Sequence, residues 1–314
     1  MADDGGKWER EVIEKLALAG IEEQRSARRW GIFFKVLMFA YLTFVLFLAI
    51  DWKGDSATDG KHTALVEVSG IIGPGTDSSA EKINAALQAA FKDTNTQGVV
   101  VRVNSPGGSP VQSQNIYDEM RRLRKKYPAI PLYVVVEDLC ASGGYFIAAG
   151  ADRIYVSKSS LVGSIGVRMD SWGVTGLMDK LGIERRLLTA GENKGFLDPF
   201  LPVDEKQKAH AMGMLNEIHQ QFIEVVREGR GKRLKETPDL FSGLIWTGQK
   251  SIDLGLADGI GSLEYVAREV VKAEAIVDYS QKENIAEKFA RRLGAGAATS
   301  LAELALRYSP SLLR

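Results

Sequence analysis

The stretch "VVVEDLCASGGYFIAAGADRI" (Val134 to Ile154) carries one serine, Ser142, between an alanine and two glycines. Val134 to Val136 read as strand, the small residues as a sharp turn, and Tyr145, Phe146 and Ile147 as part of a buried helix. Ser142 would stand at that turn, where a hydroxyl becomes a nucleophile if a base takes its proton. Cys140 lies two residues earlier, at the end of the apolar run, where a cysteine is usually a small hydrophobe. The bases on offer are few. Of three histidines, His62 falls in a polar linker and His210 and His219 on a long helical pattern. A serine–histidine–aspartate triad would need a histidine on a loop near Ser142. No HExxH or comparable cluster points to metal chemistry, and a single cysteine leaves no intrachain disulfide or cysteine-based zinc site.

A lysine can serve as base where an apolar surrounding disfavours its ammonium form. Lys194, in "TAGENKGFLDPF", follows a predicted strand and precedes Phe196, Leu197, Pro199 and Phe200, a greasy setting for a lysine on a loop. Two further stretches fit the same chemistry. "NSPGGSP" (Asn104 to Pro110) closes a predicted strand, and its paired glycines let backbone N–H groups turn towards a ligand as half of an oxyanion hole. The amide of Gly143, at the start of a helix, would be the second donor. "LVGSIGV" (Leu161 to Val167) supplies Ser164, whose hydroxyl could hold a lysine amine in line. Taken singly, each stretch also reads as ordinary turn chemistry, and Lys194 as a surface lysine.

These groups need a scaffold. Strand patterns at Thr63–Gly70, Gln97–Val103, Pro131–Glu137, Asp152–Ser157, Gly163–Met169 and Arg185–Ala190 alternate with helical patterns at Ser79–Phe91, Gln112–Lys126 and Gly143–Gly150, which predicts a largely parallel α/β body. A long helix from Glu205 to Glu228 follows, N-capped by Asp204, with an apolar stripe through Ala211, Leu215, Ile218, Phe222 and Val225. Shorter helices begin at Gly248 and Ser262. The basic cluster Arg227, Arg230, Lys232 and Arg233 reads as a solvated helix end.

The strongest signal along the chain is "WGIFFKVLMFAYLTFVLFLAIDW" (Trp30 to Trp52), with Lys35 the only charge between Gly31 and Ile50. About 20 residues at ~1.5 Å each cover a hydrocarbon core of about 30 Å, so this reads as an uncleaved membrane span. Arg25, Arg28, Arg29 and Lys35 crowd its N-terminal flank, which places the N-terminus in the cytoplasm and the body outside. The 314 residues divide into an N-terminal extension (1–29), anchor (30–52), linker (53–62), body (63–278) and a partly helical tail (279–314). A neutral net charge, with 40 basic and 40 acidic residues and no basic stripe interleaved with aromatics, argues against nucleic acid.

"NSPGGSP", "CASGGYFIAAGADRIYVSKSSLVGSIGV" and the "GENKGFLDPF" loop, in this order behind an N-terminal anchor, closely resemble the signal peptide peptidase A family in its short, single-copy form. The resemblance spans roughly Thr63 to Ala275. It implies a Clp-protease/crotonase-like fold of repeated ββα units, and a membrane-anchored serine–lysine peptidase that uses no cofactor. Residue by residue it implies Ser142 as nucleophile, Lys194 as general base, Ser164 as the hydroxyl that orients the lysine, and Gly108 and Gly143 as oxyanion donors. It further implies a homo-oligomeric ring, an octamer among its candidate sizes, in which Ser142 meets Lys194 of an adjacent copy. The implied substrates are signal-peptide remnants, and the implied location is the bacterial inner membrane with the catalytic body outside. Two other readings use the same residues differently: a crotonase-like acyl-CoA enzyme, which leaves the anchor unexplained, and a membrane-anchored scaffold without catalysis.

Overall fold

The computed structural model describes residues 5–49 and 60–281, which fall in two units. Among the described residues the first holds one helix, α1 (Gly5–Ala49). Apolar side chains from Trp30 to Val45 are exposed along it, among them Phe34, Val36, Phe39 and Leu42. Among the described residues no helix is long and apolar enough to cross a membrane. The C-terminal end of the expected span, residues 50–52, and most of the expected tail, from residue 282 on, lie outside them.

The second unit is the α/β body. Its sheet runs β6 (Ile245–Thr247), β5 (Leu161–Gly163), β3 (Leu132–Ala141), β2 (Thr96–Gly108), β1 (His62–Ile72) and β8 (Ile276–Asp278), with β4 (Arg153–Val156) on β3 and β7 (Gly259–Ile260) on β4. All pairs are parallel except β5 with β6. The strands form because near-continuous runs of β-branched residues suit a sheet buried on both faces. The side-chain period of two then sorts them. Ala64, Val66, Val99, Val101, Val134 and Val136 face one core, packed beneath α2 (Ala80–Lys92) and α3 (Pro110–Lys126), while Leu65, Val100 and Val135 face a second, smaller one closed by Leu263 and Val266. Each such valine, fully buried, contributes about 1.5–3 kcal/mol.

The outer edge of β3 is shared: Tyr133–Val135 pair with β4, whereas Leu139–Ala141 pair with β5. Its C-terminal half, held between β2 and β5, delivers Ser142 to α4 (Gly143–Ala148). The long helix α6 (Glu205–Arg230) is capped as expected, Asp204 accepting from Gln207 N–H. α7 (Gly248–Asp253) and the short α8 (Leu263–Tyr265), which continues as a π-helical segment Val266–Val271, close the body.

Four readings of the sequence need correction. His62 is no linker residue but the first residue of β1, 2% exposed, with its ring against Tyr279. The strand read at Gly163–Met169 is displaced to Leu161–Gly163, and its ladder ends where Ser164 takes a left-handed φ of 52°. Arg185–Ala190 forms no strand; it lies beyond the short α5 (Thr175–Leu181), which has no buried residue. Arg230 is not solvated: it is 1% exposed and grips Asp258 with two hydrogen bonds of 2.9 Å.

Candidate active site

Parallel strands β1, β2 and β3 end side by side, and loops at such carboxyl ends are where α/β sheets bind ligands. Ser142 occupies the strand-to-helix turn with φ 51° and ψ −123°. Its backbone is fixed from both directions: its N–H donates to Gly163 O (2.9 Å) and its carbonyl accepts from Phe146 N–H (3.0 Å). A non-glycine residue in this region stores about 1–3 kcal/mol of strain, and the surrounding bonds hold it there. The Ser142 hydroxyl does not cap α4.

The glycines beside it are required sterically. A Cβ on Gly108 would sit 2.0 Å from Ile72 O, and one on Gly143 would lie 2.4 Å from Ser113 Oγ and 3.2 Å from Gly108 N. The end of β2 thus packs against the first residue of α4, bringing the backbone nitrogens of Gly108 and Gly143 close to each other and to Ser142. Such a pair can stabilise the anion formed when a hydroxyl adds to a carbonyl. Ser105 shapes this loop from below, donating to Gly70 O (2.6 Å) and accepting from Gly107 N–H (3.0 Å). Its place in "NSPGG" alone does not reveal that role.

A cleft of about 980 Å³ opens over these groups, lined by Ser142, Gly143, Gly108 and Ser164, with Phe146 and Phe222 among its apolar walls. Ser164 is anchored by its N–H to Leu244 O (2.8 Å). His219 reaches the same segment, its Nε2 donating to Ile165 O at 3.1 Å. This histidine therefore braces the Ser164 turn. Cys140 is fully buried, and burial pushes its thiol well above the ordinary range, so no thiolate competes with Ser142.

Lys194 stands apart. It is exposed, in a run of turns after α5, and it does not line the cleft of its own chain. The structure brings together four of the five sequence-predicted site residues and leaves the fifth outside. Among the described residues no group of three or more His, Cys, Asp or Glu side chains is gathered as a metal ion would need.

Comparison with known proteins identifies the fold and the family. The profile of peptidase family S49 matches residues 124–277, and that of Clp protease matches residues 63–161, so the α/β body with its mixed sheet is of Clp-protease type. A Brucella abortus protein named Na(+)/H(+) antiporter NhaA is 46% identical over 182 residues, which are 58% of this chain and 25% of that relative; the match thus spans a quarter of its length. A putative signal peptide peptidase SppA of Enterococcus faecium is 29% identical over 232 residues, 71% of this chain and 67% of its own. A probable protease SohB of Haemophilus influenzae is 30% identical over 245 residues, 76% of this chain and 67% of its own. With its strained serine, paired amides and cleft assembled on that fold, the chain belongs to peptidase family S49.

Proposed function

We propose that this chain is a membrane-anchored serine endopeptidase that cleaves peptides by a Ser142/Lys194 dyad. The observation that carries the proposal is Ser142 held at φ 51° in the mouth of a cleft, with the Gly108 and Gly143 amides beside it. Lys194 takes the Ser142 proton, the oxygen attacks the peptide carbonyl, and the two amides hold the oxyanion. Lys194 then protonates the leaving amine, and water clears the acyl-enzyme by the same steps. Each oxyanion donor lowers the barrier by ~3 kcal/mol. Ser164 orients the lysine amine.

The lysine comes from a neighbouring copy in a homo-oligomeric ring. Two observations favour this: Lys194 is exposed and absent from its own cleft, and the segment around it presents Trp172 (82% exposed) and Leu188 (95% exposed), side chains that gain by burial against another subunit. The substrate lies extended along Gly166 and Val167. These residues border the cleft where the β3 ladder stops at Ala141–Gly163, so a peptide strand can add to that edge. Apolar walls suit signal-peptide remnants, the substrate that the name of the Enterococcus faecium relative also suggests. Residues 30–52 anchor the body outside the inner membrane of a bacterium, on the strength of the apolar run and the flanking arginines. The antiporter name belongs to a relative matched over a quarter of its length, and no transport role is carried over.

A fluorophosphonate probe on the detergent-solubilised assembly tests the reading. Covalent labelling is expected at Ser142, abolished in Ser142→Ala and strongly slowed in Lys194→Ala. No labelling of the assembled wild type would favour the scaffold reading, and labelling at another residue would displace Ser142.

A further inference from the structure

The loop that carries Lys194 is tied to α6 by a side chain that helix capping alone would have used differently. α6 opens with Asp204-Glu205-Lys206-Gln207, the pattern of a capping box, in which the N-cap side chain takes the N3 amide and the N3 side chain returns to the N-cap amide. Only the first half is made on the helix, Asp204 Oδ1 accepting from Gln207 N–H at 2.9 Å. Gln207 Oε1 turns away and accepts from the N–H of Leu197 at 3.1 Å, three residues beyond Lys194.

Leu197 needs such a tie. Its φ of 51° lies in the left-handed region that a leucine ordinarily avoids. The other backbone bonds near the lysine are local turns, Lys194 N–H to Gly191 O, Phe196 N–H to Asn193 O and Asp198 N–H to Gly195 O, which shape the loop without fixing it to the helix. Further along, the ion pair Arg185–Asp198 (2.8 Å) and the bond from Val174 N–H to Pro199 O (2.9 Å) fasten the loop to the exposed α5 region. On the α6 side, the Phe196 ring rests edge-on against His210 with centroids 5.9 Å apart, a contact that tolerates sliding. Gln207 is the directional link to α6.

We infer that Gln207 is a positioning residue for Lys194: by holding the Leu197 amide it fixes the turn from which the ε-amine is presented to the Ser142 hydroxyl. The inference rests on reading Lys194 as the general base. A base displaced by about 1 Å loses up to ~100-fold in rate.

The experiment compares Gln207→Ala, Gln207→Glu, Lys194→Ala and the double variant Lys194→Ala/Gln207→Ala as full-length assemblies, by peptide hydrolysis and by Ser142 labelling with a fluorophosphonate. Gln207→Ala is expected to lower kcat roughly 10- to 100-fold, with KM within about twofold and an unchanged melting point, since Asp204 still caps α6. Gln207→Glu keeps the acceptor oxygen and recovers most of kcat. In the Lys194→Ala background, Gln207→Ala costs nothing more. Wild-type kcat in Gln207→Ala, or an equal further loss in both backgrounds, overturns the inference while the dyad stands. Where the Lys194→Ala rates are too small to compare, failure of Gln207→Glu to restore kcat overturns it. Full activity in Lys194→Ala removes the dyad, and the inference with it.

Discussion

At the scale of single residues, the conformation of Ser142 is the feature that packing alone does not require. Glycine would adopt φ 51° without strain, yet the chain places a serine there. Relief of about 1–3 kcal/mol of strain, less about 0.5–1 kcal/mol for the extra freedom of unfolded glycine, should make Ser142→Gly more stable than Ser142→Ala by about 1 kcal/mol. Urea denaturation of the two variants in the same detergent measures the difference, and neither should react with the probe. An alanine variant at least as stable as the glycine variant would show that the turn is unstrained. The sequence already placed Ser142 at a strand-to-helix break, because an apolar β-branched run followed by small residues leaves few other ways to fold. It located Gly143 and the Gly107–Gly108 pair for the same reason. It could not show φ, which depends on the bonds to Gly163 O and from Phe146 N–H. Ser105 and His219 were illegible as supports because their partners, Gly70 O and Ile165 O, are 35 and 54 residues away.

At the scale of elements, local pattern served well where strands and helices pack only through apolar faces, and failed where a polar partner decides. β1, β2, β3, α2, α3 and α6 follow their hydrophobic periods. The end of α6 does not, because the charge of Arg230 is answered by Asp258, 28 residues on. Asp258 also accepts from Ile154 N–H (2.7 Å) and Arg233 (3.2 Å), so the cluster joins α6 to β4 and to the turn before β7. Burial alone would raise the Asp258 pKa, but its bonds to Arg230, the charge of that guanidinium and the Ile154 amide outweigh it and hold the carboxyl below its ordinary value. A depressed carboxyl pKa means stability that is complete above the unfolded value of about 3.9 and lost as pH falls through the lower folded value. Asp258→Asn is therefore expected to flatten the loss of stability below about pH 4 seen in thermal melts of the wild type. Arg230→Met leaves a buried carboxylate short of its main partner and should cost about 3 kcal/mol near neutral pH, at the low end for a broken buried pair because Arg233 and Ile154 remain. Equal stability of Arg230→Met and wild type would show that the pair is dispensable.

At the scale of the whole molecule, the order of motifs was enough to indicate the family, and the glycine pair and the serine turn meet at one cleft of the fold. What one chain cannot contain is a contact between copies. Lys194 is offered as a base by its apolar sequence neighbours and by the resemblance, while its own chain leaves it exposed and outside the cleft that Ser142 lines. If the dyad forms across a subunit boundary, its two halves can be supplied by different polypeptides. Ser142→Ala and Lys194→Ala assemblies are then each inactive, but dissociating and reassembling an equal mixture restores activity. At each boundary the serine comes from one copy and the lysine from the next, so random mixing leaves both intact at roughly a quarter of boundaries, and about a quarter of wild-type activity should return. Ser142→Ala/Lys194→Ala chains mixed with Ser142→Ala chains provide no intact boundary and should restore none. A dyad within one chain gives no recovery in either mixture, because every copy then carries its own defect. Exposed apolar side chains such as Trp172 and Leu188 should become protected from solvent under the same reassembly conditions, which ties the returning activity to contact between copies.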